Sequence, residues 1–158
     1  MGSYENFARV YDERMDNVTY EEWADFILAI LKKNKITDGL VLELGCGTGK
    51  LMSLLGNAGF DMSGVDNSVD MLQIAREKTS PAFLYLSQDM RQFERYGTLN
   101  SVVSAFDSVN YITEKEDLTE VLRMVTNSLD PNGLFILDSH SDYNTRGIIW
   151  YTSIAAEM

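Results

Sequence analysis

Apolar positions along the chain fall into two alternating spacings. Thr19 and Glu22 stand as an S/T-x-x-E capping box, and Trp23, Ile27, Ile30 and Leu31 follow at helical spacing, with Lys32, Lys33 and Lys35 where cations suit a helix C-terminus. Leu40 to Leu44 is a short apolar run stopped by Gly45, the signature of a buried strand. Leu51, Leu54, Leu55 and Ala58 predict a helix ending at Gly59, and Asp61 to Asp66 a second strand. Asn67 or Ser68 can cap the next helix, which carries Met71, Leu72 and Ala75. Phe83 to Leu86 after Pro81 reads as a third strand and Ser101 to Phe106 as a fourth. A second capping box, Thr113 and Glu116, opens a helix with Leu118, Val121, Leu122, Val125 and Leu129 on one face. That helix is predicted to stop at the turn Asp130-Pro131-Asn132-Gly133, before a fifth strand from Leu134 to Asp138.

Strands separated by helices imply βαβ units, so the expected class is α/β: a doubly wound, mainly parallel sheet with helices on both faces. Ligands of such sheets bind outside the carboxyl ends of the strands. No repeat or linker divides the 158 residues, which read as one domain: a helical cap (1–36), a core (37–140) and a short C-terminal segment (141–158). The net charge of −11 argues against non-specific binding to nucleic acid or an anionic membrane. The longest apolar run, Phe26 to Leu31, is six residues, against the ~20 needed to span a bilayer. Cys46 is the lone cysteine, no signal peptide is visible, and no Cys/His cluster has metal-ligand spacing. The expectation is a cytoplasmic protein without a metal.

The stretch Glu43-Leu44-Gly45-Cys46-Gly47-Thr48-Gly49-Lys50 places glycines at i, i+2 and i+4 between a strand and a helix. Without Cβ atoms, backbone can approach a ligand closely there. The dinucleotide fingerprint G-x-G-x-x-G would need its third glycine at position 50, which is Lys50. Asp66 ends the second strand 17 residues beyond Gly49, where a carboxylate can accept from both ribose hydroxyls of a nucleoside. Asp89 follows the third strand and Asp107 the fourth; with Glu43 they make four carboxylates at or near strand ends. Such a rim repels pyrophosphate and favours a cationic, donor-rich ligand, a reason to prefer a sulfonium nucleoside over NAD.

These residues resemble the class I S-adenosylmethionine-dependent methyltransferases, the small-molecule type with an N-terminal helical cap. The resemblance runs from about Tyr4 to Asp138 and rests on Val41 to Gly49, on Gly64-Val65-Asp66-Asn67-Ser68 with Met71 beyond, and on Gln88-Asp89-Met90. Phe106 to Tyr111 and the turn before Leu134 extend it, and Phe7 to Asp12 is similar to the family's cap segment. It implies S-adenosylmethionine as cofactor, with Gly45, Cys46, Gly47 and Gly49, next to Glu43, bordering the methionine part. It further implies that Asp66 holds the ribose, that Asn67 and Met71 lie beside the adenine, and that Asp89 accepts from the adenine amino group next to Met90. Phe106 and Asp107 would face the methionine end, with Tyr11 covering it. Met71 and Met90 read equally well as plain core packing.

Methyl transfer from a sulfonium needs positioning and desolvation more than acid–base chemistry, and no convincing general base stands out. His140, Asp107, Tyr11 and Tyr111 are weak candidates, and Cys46 reads as a small buried filler. The expected function is methyl transfer to a small-molecule acceptor. The alternatives are a non-catalytic or truncated cofactor-binding domain and, further off, an NAD-dependent oxidoreductase. Family members continue beyond the fifth strand with further strands; here Ser139 to Met158 remain, room for one more strand from Ile148. The C-terminal strands are therefore expected to be incomplete, leaving an uncovered sheet edge and a tendency to form homodimers.

Overall fold

The computed structural model describes residues 20–89, 98–104, 115–140 and 146–152. Helix α1 (Tyr20–Lys33) opens with Glu21 and Glu22 and ends with Lys32 and Lys33, complementing its dipole at both ends. It buries Tyr20, Ala24, Ile27, Ile30 and Leu31, while Trp23 is half-buried and meets exposed Phe26 edge-on, with ring centroids 6.5 Å apart. The helix ends in a Schellman turn: Ile36 N donates to the Leu31 carbonyl at 2.8 Å and Lys35 N to that of Lys32 at 3.0 Å. Lys35 takes the left-handed position at φ 64°.

Strands β1 (Gly39–Leu44), β2 (Phe60–Asp66), β3 (Leu84–Ser87), β4 (Leu99–Ser104), β5 (Leu129–His140) and β6 (Arg146–Thr152) form one sheet in the order β3-β2-β1-β4-β5-β6. The first five run parallel, and β6 pairs antiparallel with β5. Helices α2 (Lys50–Asn57), α3 (Val69–Lys78) and α4 (Lys115–Ser128) make the connections. Side chains of successive strand residues divide between two cores. Val41, Met62, Val103, Leu134 and Ile136 pack with α1, α2 and α3; Leu42, Leu44, Val65, Val102, Phe135 and Leu137 pack with α4. Helices thus cover both faces, as the alternating pattern predicts. No helix among the described residues is long and apolar enough to cross a membrane.

One boundary differs in kind from expectation. Strand β5 starts at Leu129, opposite Leu99, and its register then jumps so that Ser101 faces Leu134. Asp130 to Gly133 therefore form a bulge within β5, not the turn between helix and strand that their composition suggests. Asn100 holds the bulge from β4: its Nδ2 donates to Asp130 Oδ2 at 3.3 Å while its Oδ1 accepts from Leu40 N at 2.9 Å. Pro131, which has no N–H for a ladder, is accommodated there because a bulge asks for none. The last apolar run becomes β6, beginning at Arg146, two residues ahead of Ile148.

Candidate functional site

The sheet changes direction between β1 and β4, whose chains continue to opposite sides, and the glycine loop rises from the carboxyl end of β1 at this switch point. Gly45, Gly47 and Gly49 have φ of 70°, 56° and 83°, a region that L side chains enter only at a cost of about 1–2 kcal/mol each. The loop bends over the neighbouring strand, where Gly45 N and Cys46 N both donate to the Val65 carbonyl, at 2.7 and 3.1 Å. Its closeness to β2 depends on Gly64, where a Cβ would stand 2.7 Å from Cys46 Sγ and 2.6 Å from Met52 Sδ. Gly64 belongs to the quoted pattern, but its part as the floor of the loop is visible only in three dimensions.

Asp66 is the hub of the site. Its Oδ2 accepts from Gly47 N and its Oδ1 from Ser68 N, each at 2.9 Å, and its own carbonyl accepts from Gln88 N at 3.1 Å. One residue thereby ties together the glycine loop, the start of α3 and the end of β3. Ser68, rather than Asn67, caps α3, its Oγ accepting from Met71 N at 3.3 Å. Each carboxylate oxygen of Asp66 has a second lone pair to offer, so two further hydroxyl donors fit the half-buried group. Asn67 is exposed beside it, Met71 is on the buried face of α3 and Asp89 is half-buried two residues past β3.

Glu43 departs from the expected acidic rim. It is 2% exposed and its Oε1 has no hydrogen-bond partner. It alternates with Leu42 and Leu44, so it turns to the face of Val41, and its register neighbours in β2 and β4 are Gly64 and Val103. Burial, and secondarily the charge of Asp66, push its carboxyl well above the ordinary glutamate range. Asp66 and Asp89 are the expected rim acids that stay accessible among the described residues. Cys46 is buried, and its thiol is pushed well up by burial first and then by Glu43 and Asp66, which disfavours the nucleophilic thiolate. It is the filler that the sequence suggested.

Sequence reasoning missed two features. Tyr85 on β3 is hydrogen-bonded through its hydroxyl to Thr79 Oγ1 at the end of α3, and this pair lies directly against Gly49. Ser104, the last residue of β4, is fully buried with an unpartnered Oγ. Neither carries a local signal, since both are defined by which strands become neighbours. Tyr11, Met90, Phe106, Asp107 and Tyr111 lie outside the described residues, as does the His140 side chain. Among the described residues no group of three or more His, Cys, Asp or Glu could hold a metal. A depression of about 760 Å³, lined by Lys35, Asp38, Asn100 and Asp130 among others, lies at the opposite, amino ends of the strands.

The glycine loop, the Asp66 hub and the orphaned Glu43 oxygen together suit a nucleoside carrying a cationic group. A family model described as a methyltransferase domain matches residues 11–156. The putative methyltransferase YqeM of Bacillus subtilis is 38% identical over 143 residues, which cover 89% of this chain and 56% of that protein. A crystal structure of an S-adenosylmethionine-dependent methyltransferase from Clostridium acetobutylicum is 32% identical with a TM-score of 0.78, over 89% of this chain and 58% of that one. The dTDP-3-amino-3,4,6-trideoxy-alpha-D-glucopyranose N,N-dimethyltransferase of Streptomyces venezuelae is 32% identical over 98 residues, 62% of this chain and 41% of that enzyme. The chain therefore spans little more than half the length of the first two relatives.

Proposed function

Because the chain belongs to the methyltransferase-domain family, we propose that it serves methyl transfer from S-adenosylmethionine to a small-molecule acceptor. The observation that carries this reading is the Asp66 hub, a carboxylate at the end of β2 fixed by two backbone N–H groups beside the glycine loop, with lone pairs to spare. S-adenosylmethionine supplies a methyl group on a sulfonium that is itself a good leaving group. The chain's task is to hold the two reactants in line, a contribution worth up to ~7–11 kcal/mol in model systems. Asp66 accepts from the ribose hydroxyls, and the backbone of Gly45 to Gly49 borders the methionine end. Asn67 and Met71 flank the adenine, and Asp89 accepts from its amino group. An amino group on a small sugar-like molecule is the acceptor we favour, by analogy with the Streptomyces venezuelae relative.

Calorimetric titration with S-adenosylhomocysteine, with NAD as control, tests the reading. Wild type should bind the first saturably and not the second. Asp66→Asn should weaken binding about tenfold or more, since an amide replaces one charged acceptor, with circular dichroism confirming the fold. Binding of NAD alone, or of neither ligand, overturns the reading.

A further inference from the structure

Glu43 is the buried titratable group that positioning alone does not use. Three observations meet at it. Its side chain is 2% exposed, and Oε1 has no partner. It sits at the penultimate position of β1, directly before the glycine loop, and its strand neighbour, Gly64, offers no polar side chain to pair with it. The charge that reaches it is the like charge of Asp66.

Among the described residues, no charge acts on Glu43 to favour its ionised form. Asp66, on β2, has each oxygen engaged by a backbone N–H. Cys46, in the loop, is a thiol held neutral by burial and by the two acids. Tyr85, on β3, gives its hydroxyl to the pair with Thr79. Arg76, on α3, whose charge is felt at Cys46, donates through Nη2 to the Tyr85 carbonyl at 3.3 Å. An ionised carboxylate in this setting is expensive, so the neutral acid is the form that the fold tolerates. A cation arriving at the end of β1 reverses that preference, because it provides the opposite charge that the fold leaves out.

We propose that Glu43 holds a proton in the ligand-free protein and releases it to solvent when a cationic nucleoside binds, so that loading of the site is proton-coupled. The balance is simple: the protonated acid loses H⁺ to the buffer, the carboxylate stays behind and the ligand's positive charge compensates it. The proposal rests on the methyltransferase reading and adds that the site gains part of its preference for a charged ligand from a group that is uncharged before binding.

The test is calorimetric titration of wild type and Glu43→Gln with S-adenosylmethionine, and separately with S-adenosylhomocysteine, in phosphate and Tris buffers near pH 7. Differences in buffer ionisation heat give the number of protons released. Wild type should release up to about one proton per S-adenosylmethionine bound. Glu43→Gln, which keeps the shape of the neutral acid, should release essentially none, and its affinity for S-adenosylmethionine should fall about tenfold. Binding without proton release, or equal release from the variant, overturns the proposal and leaves the functional reading standing. Absence of binding by both nucleosides overturns both.

A ligand-free measurement stands beside it. The folded carboxyl titrates well above the ordinary value of 4.5, so the unfolded chain ionises first and rising pH favours unfolding. The melting temperature of wild type should therefore decline from about pH 5 upward until the folded group ionises. Glu43→Gln should lack that component, and identical profiles overturn the proposal.

Discussion

Gly64 is where the loop and the sheet come closest, and it sets a steric limit that a single atom can test. An added Cβ would meet Cys46 Sγ at 2.7 Å and Met52 Sδ at 2.6 Å, far inside ordinary van der Waals contact. Both sulfurs are in buried side chains, so relief requires the loop or α2 to move. Gly64→Ala should lower stability by about 1–3 kcal/mol, as overpacking of a dense core does, read from urea denaturation. Pairing it with Cys46→Ala removes the sulfur and leaves Cys46 Cβ at 2.9 Å and Met52 Sδ at 2.6 Å, so the double variant should recover part of that loss. Strict additivity of the two changes would mean that the loop does not rest on β2 at this point. The same contact explains why position 46 holds a small apolar side chain: its environment suppresses the thiolate and uses the volume.

The end of α1 carries the clearest departure from local preference at the level of elements. The Schellman turn puts Lys35 at φ 64°, a position that glycine fills in most helices ending this way. The left-handed conformation costs an L residue about 1–2 kcal/mol, and glycine returns part of that gain through the freedom of the unfolded chain. Lys35→Gly should therefore stabilise the protein by about 0.5–1 kcal/mol, a rise of about 2 °C in melting temperature. An unchanged or lower melting temperature would show that the left-handed turn carries no strain. The succession of elements was legible in the chain because helical and strand spacings alternate from α1 to β3 and again from β4 to β5, and the first-turn acids Glu21 and Glu22 and the cap Ser68 mark starts. The bulge at Asp130 to Gly133 was not, because turn residues look alike whether they end an element or swell one; Asn100, 30 residues away, decides it. Glu43 misled for a related reason. In a strand covered on both faces the sequence carries no alternation to say which side a residue takes, so an acid beside a glycine loop reads as rim when it is core.

Across the whole molecule, 24 acidic against 13 basic side chains leave a net charge of −11. Near the glycine loop the accessible acids Asp66 and Asp89 add to that field at the carboxyl ends of β2 and β3. A cationic ligand approaching this end is attracted both locally and by the molecule as a whole, while a neutral ligand of the same shape feels little of either. The two contributions have different reach: the overall field is screened within about 10 Å at 0.1 M salt, whereas a buried carboxylate is screened much less. S-adenosylmethionine carries one more positive charge than S-adenosylhomocysteine, so the pair isolates the electrostatic part of recognition while holding shape nearly constant. Raising NaCl from about 20 to 300 mM should weaken S-adenosylmethionine binding about threefold or more and leave S-adenosylhomocysteine nearly unchanged. Equal salt slopes would mean that the acidic surface contributes nothing to cofactor choice and that the loop selects by shape alone. A slope for S-adenosylmethionine that persists in Glu43→Gln would place the screened part on the surface, where Asp66 and Asp89 lie, and leave the unscreened part to the carboxyl beneath the loop.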